Sequence, residues 1–366
     1  MPKVNTSLGS AKRAKYDEFY TQYSDIENEM NAYLEFDSKV FANKTILLPC
    51  DDPEWSNFTK YFAQNFEKLG LKKLISTSYA PKSKDLDDLF APSLFETESS
   101  IFDPKKSETN GRIFTLTRDV NKDKRIDFKD LEWDYLEGDG DFRSSELLAL
   151  RDEADVVITN PPFSLFREFM SWLLEGNCDL VILGNMNAVT YKEIFPLIKE
   201  NKIWLGATRN GVGSMWFEVL DSAPDKTGQK IINGKKYQTV GSSAWFASLD
   251  HGLRHQPLAL MTESDNRKFS KIEGLRESGY QKYDNYDAIE VPQVQAIPSD
   301  YEGVMGVPIT FLSKYNPDQF EIIGMSANGL VDQKYKLVHH KTHNEPWLNG
   351  HPKYQRIFIR HRKPAK

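Results

Sequence analysis

Cysteine is almost absent: Cys50 and Cys178 are the only two in 366 residues. Two thiols are too few for a disulfide framework or a Cys-rich zinc site, so a reducing cytoplasm is the economical setting. Long apolar runs are missing as well. Nothing approaches the ~18 consecutive apolar residues of a bilayer crossing, and with 27% charged residues and a mean hydropathy of −0.56 the chain reads as soluble. Residues 1–15 alternate small polar and basic side chains without the apolar core of a secretory signal, so export is not expected. No internal repeat is present, and there is no excess of positive charge. The net charge of −6 argues against nonspecific coating of a polyanion.

What the chain does hold is 39% apolar and 12% aromatic residues, enough for one large domain or two ordinary ones. Charge is placed unevenly. From Lys341 onward there are seven Lys or Arg against one acid, Glu345, so a tail of +6 follows a body of −12. Such a tail can contact phosphate.

Apolar periodicity predicts a helix through Phe19, Tyr23, Ile26, Met30 and Leu34, with Tyr20-Thr21-Gln22 in a loop before it. A strand Thr45-Ile46-Leu47-Leu48 stops at Pro49. Residues 56–69 then read as a helix and 74–79 as a second strand. This β-loop-α-β rhythm begins an open parallel sheet, an α/β fold. Residues 80–137, rich in charge around three prolines, read as a partly structured surface insertion. Asp155-Val156-Val157-Ile158-Thr159 is the next strand, followed by an amphipathic helix through Phe166, Phe169, Met170, Leu173 and Leu174. A strand over 180–183, a helix over 191–200, and strands over 203–205 and 243–247, which an antiparallel pairing would join, complete the pattern. After Asp250 the βα alternation stops, which places a boundary there: 1–250 and 251–366.

In a doubly wound sheet, ligands bind beyond the carboxyl ends of the strands. Three such places stand out. Pro49-Cys50-Asp51-Asp52-Pro53-Glu54 follows the first strand and has acids for a cationic ligand. Gly138-Asp139-Gly140-Asp141-Phe142 pairs a carboxylate with an aromatic face. Asn160-Pro161-Pro162-Phe163 is the most informative. The side-chain oxygen of Asn160 and the carbonyl of Pro161 can each accept one hydrogen of a planar NH2 group, such as that of adenine, and so turn its delocalised lone pair toward an electrophile. Pro161 and Pro162 stiffen the turn and cannot donate, and Phe163 offers a stacking surface. The plainer reading is a tight turn after a buried strand, with Phe163 in the core.

The chain resembles the EcoRI-type adenine-specific DNA methyltransferases. The resemblance is carried by Asp17-Glu18-Phe19-Tyr20-Thr21-Gln22-Tyr23, by Cys50-Asp51-Asp52-Pro53 with Ser56-Asn57-Phe58, by residues 138–146 and 160–166, and by 200–206, 282–289 and 303–312. It implies a Rossmann-like sheet that binds S-adenosylmethionine over residues 1–250, with the insertion on its surface, and an irregular region over 251–366 that recognises the target DNA. The implied reaction is methyl transfer to the 6-amino group of an adenine flipped from duplex DNA. By the same resemblance Tyr20 and Thr21 line the methionine end of the cofactor, Asp51 lies near its amino group, Asp141 and Phe142 meet its adenine, and Cys50 is a further cofactor-binding residue. Asn160, Pro161, Pro162 and Phe163 hold the target base. Two departures stand out: the usual glycine-rich first loop is replaced by Cys50-Asp51-Asp52-Pro53, and no acid for the cofactor ribose follows the second strand. The expected partner is double-stranded DNA, with a cognate restriction endonuclease sharing the site without a stable complex. The protein is expected as a monomer, away from membranes, in a bacterial or phage-infected cytoplasm.

Rival readings keep the same pocket for RNA adenine or protein glutamine, or make the chain a catalytically silent DNA-binding protein. Pro49-Cys50 imitates a thiol nucleophile, but it follows the wrong strand for one, and a packed thiol is favoured. Residues 119–130 imitate a calcium loop, with Lys124 where a glycine belongs and Asp130 where a Glu belongs, so a solvated loop is favoured. His339, His340, His343 and His351 have no Glu or Cys to complete a metal site, and no metal is expected. Tyr283-Asp284-Asn285-Tyr286-Asp287 reads as structural support rather than base reading.

Overall fold

The computed structural model describes residues 20–51, 56–80, 94–208, 215–219, 227–239, 242–327, 336 and 344–363. Residues 17–19, Asp52, Pro53, Glu54, His339, His340 and His343 lie outside them. The chain divides into two compact units. The first comprises residues 1–185 and 212–249, and the second 186–211 and 250–366. The break after Leu249 falls where the βα rhythm stops; the transfer of 186–211 to the second unit has no signal in the local pattern.

The first unit is a Rossmann-like sheet. Its strands are β1 (Thr45–Leu48), β2 (Lys73–Ser78), β3 (Arg112–Leu116), β4 (Glu132–Tyr135), β5 (Val156–Thr159) and β6 (Asp179–Asn185). β7 (Trp204–Leu205) belongs to the second unit, and the first resumes with β8 (Trp216–Val219), β9 (Gln229–Ile232), β10 (Lys235–Thr239) and β11 (Ser243–Ala247). The sheet of the first unit runs β4-β3-β2-β1-β5-β6-β11. β1 lies parallel to both β2 and β5, and β5 parallel to β6. β1 and β5 are buried at every position, as parallel strands covered on both faces must be. The chain leaves β1 toward β2 on one side and reaches β5 on the other, so their carboxyl ends flank a switch point, where a crevice opens.

Around this sheet lie α1 (Tyr23–Phe36), α2 (Asn57–Gln64), α3 (Ser145–Glu153) and α4 (Phe166–Leu174). Ser56 caps α2 by accepting the Phe58 N–H at 3.1 Å, and Ser144 caps α3 by accepting that of Leu147 at 3.2 Å. α4 buries Phe166, Phe169, Met170, Trp172 and Leu173. Gly184 in β6 admits the Phe166 ring, because a Cβ there would lie 2.3 Å from it. The insertion over 80–137 contributes β3 and β4, which extend the sheet, β3 antiparallel to β2 and β4 antiparallel to β3. β4, Glu132-Trp133-Asp134-Tyr135, is half-exposed and alternates charge with aromatic rings, a pattern that composition alone reads as surface. Beneath it, the Arg112 guanidinium meets Glu96 at 2.7 Å, both nearly inaccessible. In the Asp119–Asp130 loop the carboxylates are turned onto backbone donors: Asp130 accepts from Val120, Asn121 and Asp127, and Asp119 accepts from Lys124.

The second unit carries a sheet ordered β12 (Ile289–Glu290), β13 (Met305–Pro308), β17 (Arg356–His361) and β14 (Phe320–Met325), beside a small pair β15 (Trp347–Leu348) and β16 (His351–Pro352). Its core gathers Tyr283, Tyr286, Ala288, Val304, Ile323, Leu348 and Phe358. The helix read over 191–200 is shorter, Phe195–Lys199. Pro196 can stand only in a first turn, so the helix has to start just before it.

Candidate active site

At the end of β1 the chain turns sharply, with Cys50 in the left-handed region at φ 68°. Asp51 follows, buried, its N–H donating to the Thr77 carbonyl at 2.9 Å and its own carbonyl accepting from Ser76 Oγ at 2.6 Å. The carboxylate accepts the Ser56 hydroxyl at 2.9 Å and the Thr159 hydroxyl at 2.6 Å. Thr159, the last residue of β5, shares its proton with the Pro49 carbonyl at 2.5 Å. One carboxylate therefore ties the carboxyl ends of β1 and β5 to the start of α2.

Asn160-Pro161-Pro162-Phe163 leaves β5 beside this knot. The Asn160 amide donates Nδ2 to Thr21 Oγ1 at 3.3 Å, which leaves Oδ1 as the acceptor end of the side chain. The Thr21 carbonyl in turn accepts Asn57 Nδ2 at 2.8 Å, and Tyr20 exchanges both backbone hydrogen bonds with Glu218, at 3.0 and 3.1 Å. Tyr20 and Thr21 are thus stitched to the turn from the far end of the sequence. Pro161 is buried and Pro162 half-buried. Phe163 opens a single 3-10 turn and is also half-buried, its ring edge-on to Phe217 at 6.4 Å; the core position falls to Phe166.

The Gly138–Phe142 loop presses on the end of β2. Gly140 takes φ 84°, and a Cβ there would lie 2.3 Å from the Ser78 carbonyl, so only glycine fits. Asp141 is gripped by both arms of Arg143, at 2.9 and 2.5 Å, and Arg143 also reaches Glu168 at 3.0 Å. Burial alone would raise the Asp141 carboxyl; the Arg143 fork more than offsets it and holds the group below its ordinary value. Phe142 is 1% exposed, packed edge-on against Phe169 and Trp172, so its ring is part of the core rather than an open face.

Tyr79, directly after β2, escaped the sequence reading. Its hydroxyl is buried, faces Cys50, Asp141 and the Phe142 backbone, and is reached by no hydrogen bond of normal geometry. Burial first, then Cys50 and Asp141, push the phenol well above its ordinary range. It stands directly after β2, where the sequence offers no acid. The other residues missed are Ser56, Thr159 and Phe217. Ser56 was visible as a helix start and as part of the Ser56-Asn57-Phe58 block, without a partner, Thr159 only as a strand end, and Phe217 lies in a strand whose surroundings carry no pattern.

The family model described as "Adenine-specific methyltransferase EcoRI" matches residues 7–362. The Type II methyltransferase M.EcoRI of Escherichia coli is 40% identical over 371 residues, covering 99% of this chain and 98% of the relative. The Type II methyltransferase M.MpnI of Mycoplasma pneumoniae is 34% identical over 361 residues, covering 96% and 97%. No solved structure matches. With Asp51, Thr159 and the Asn-Pro-Pro-Phe turn gathered at the carboxyl ends of β1 and β5 and a match over nearly its whole length, the chain belongs to the EcoRI family of adenine-specific methyltransferases.

Proposed function

We propose that this methyltransferase moves a methyl group from S-adenosylmethionine to the 6-amino nitrogen of an adenine swung out of duplex DNA within a short sequence. The observation that carries the reading is the orientation of Asn160: with Nδ2 given to Thr21, its Oδ1 and the Pro161 carbonyl form a pair of acceptors matched to an NH2 group. Phe163, half-buried against Phe217, supplies the face on which the base stacks.

The residues around β1 and β2 fit the cofactor. The buried Asp51 carboxylate supplies the negative charge that an ammonium group needs, and the buried Tyr79 hydroxyl is placed for a ribose. Tyr20, Thr21 and Cys50 line the methionine end, with Asp141 nearby and Phe142 supporting the wall from within. S-adenosylmethionine supplies a methyl group made electrophilic by its sulfonium. The chain's own residues do the rest. Asn160 Oδ1 and Pro161 O each hold one amine hydrogen and turn the nitrogen lone pair out of conjugation with the ring. Pro161 and Pro162 keep the acceptors fixed, and the aromatic wall excludes water. Once alkylated, the nitrogen is strongly acidic and releases a proton to solvent, so no strong base is needed at the turn.

Residues 251–366 read the DNA sequence in this account. The protein works as a monomer in a bacterial or phage-infected cytoplasm, and any cognate endonuclease shares the DNA word rather than a stable complex. Among the described residues no helix is long and apolar enough to cross a membrane. The test is incubation with labelled cofactor, mixed-sequence duplex DNA, RNA and peptide, followed by digestion. Label in 6-methyladenine from the duplex is expected; label confined to RNA, glutamine or another nucleoside ends the proposal.

A further inference from the structure

The segment Ile231-Ile232-Asn233-Gly234-Lys235-Lys236 is a hairpin tip. Asn233 and Gly234 take φ 50° and 78°, the left-handed pair that a two-residue turn between right-twisted strands requires. The ladder fixes which side chains share a face. Phe217 stands opposite Gln238, which stands opposite Gln229. One step of two along, Val219 stands opposite Lys236, which stands opposite Ile231. Side chains two apart in a strand, and partners directly across it, lie on the same side. Ile231, Lys236 and the Gln229–Gln238 pair therefore project from the face that carries Phe217, and Phe217 rests on Phe163 of the target turn.

On the far face Lys230 lies 3.7 Å over the Trp216 ring and Lys235 bonds Glu218 at 2.8 Å; on the near face Gln229 Nε2 donates to Gln238 Oε1 at 3.0 Å. On the near face Ile231 is 75% exposed, whereas Phe217, in the neighbouring row of the same face, is fully buried. Residues 227–239 contain three Lys and no Asp or Glu, in a protein whose net charge is −6. An isolated exposed Ile is ordinary. A β-branched side chain held out on a rigid turn, on the face of the base pocket and among cations, matches the chemistry of a nucleic-acid wedge.

We propose that the ribbon β8–β10 is this wedge: Ile231 enters the duplex stack beside the extruded adenine, while Lys236 meets phosphate and Gln229 with Gln238 meets base edges. By strand geometry Ile231 stands two residues along and two strands across from Phe217, about 12 Å away, comparable with the roughly 12 Å width of a major groove. The ribbon thus spans from the pocket to the stack that the base has left. Filling that gap lowers the tendency of the adenine to return. The inference rests on the base-flipping reading above and deepens it.

The test compares Ile231→Ser with Ile232→Ser, from the opposite face, on DNA containing the methylated sequence. Methyl transfer is measured on a fully paired duplex and on one with an abasic site opposite the target adenine; fluorescence of 2-aminopurine at the target position reports unstacking. Ile231→Ser should lower transfer and fluorescence on the paired duplex by about tenfold or more, and the abasic duplex should restore transfer to within about twofold of the unaltered protein. Ile232→Ser should remain within about twofold on both. The wedge is overturned if Ile231→Ser matches the unaltered protein on paired DNA, or if it loses as much on both duplexes. Should the unaltered protein itself leave no label in DNA adenine, the function reading fails, and that control tells the two failures apart.

Discussion

Around Asp51 in the first unit, the groups that meet the buried carboxylate are short hydroxyls, Ser56 and Thr159, and the neighbouring turn is held by the amides of Asn57 and Asn160. In the second unit, the buried polar groups are full charges folded onto one another. Glu290 accepts Arg356 at 2.6 and 3.1 Å and also takes the Tyr283 hydroxyl. The Asp51 carboxylate gathers hydroxyl donors at the strand ends beside Asn160. Glu290 and Arg356 close on each other, so their role is to fix β12, β13 and β17 in one register, as the buried Arg112–Glu96 pair braces β3 in the first unit. A polar group can be buried beside a site or to specify structure, and Asp51 and Glu290 fall on the two sides of that division.

Breaking each arrangement should give opposite phenotypes. The largest effect on folding is expected from Arg356→Ala, which strands the Glu290 carboxylate in the interior and should destabilise the second unit by about 3–5 kcal/mol. Urea titration read by hydrogen exchange in each unit would show it, and protection lost equally from β1 and β5 would contradict the division. Asn160→Ala comes next and should leave stability within about 1 kcal/mol while lowering methyl transfer on the order of 100-fold, by loss of one of two orienting acceptors. Label transfer at saturating DNA and cofactor measures it; an unchanged rate would remove Asn160 from the mechanism.

The smallest effect is on pH. His251 and His361 in the second unit are buried, and burial first of all lowers both imidazoles below their ordinary value. Each is neutral when folded and donates through Nε2 to a carbonyl, Leu205 at 3.1 Å and Pro298 at 2.8 Å. As pH falls through about 6.5 the unfolded chain takes up protons that the folded one does not, so stability is full above that value and declines below it, by at most about 1.4 kcal/mol per pH unit for each histidine. In the first unit the lowered Asp141 carboxyl acts only below the ordinary Asp range, near 3.8. Unfolding followed at pH 7.5 and 5.5 should therefore weaken the second unit first. Equal losses would mean that these imidazoles titrate alike in the folded and unfolded states.

Much of the first unit could be read from apolar runs because β1, β5, β6 and β11 are buried along nearly their whole length and announce themselves without partners. β4 could not, since a half-exposed strand with alternating charge looks like a solvated loop until its neighbour is known, and β3, Arg112–Leu116, is a short apolar run enclosed by charged sequence. The sheet of the second unit was hidden for a related reason: Ile289–Glu290 is two residues long, and Met305–Pro308 finds its partner in Arg356–His361, far along the chain. The target turn was legible from Asn160 to Phe163 as residue types. What was not legible was Thr21 orienting Asn160, a bond between positions 139 apart. Phe142 shows the converse: an aromatic residue beside a predicted ligand loop lies in the core, because Phe169 and Trp172 compete for it.

The interrupted course of the first unit bears on how it is made. β6 pairs antiparallel with β11, yet residues 186–211, which belong to the other unit, lie between them in the sequence. During synthesis the ribosome releases Val181-Ile182-Leu183 well before Ser243–Ala247 emerges, so the nascent catalytic half waits with one apolar strand edge uncovered. Premature termination in that interval would yield a sticky fragment rather than a half-active one, which makes the late arrival of a single strand a checkpoint on completion of the enzyme.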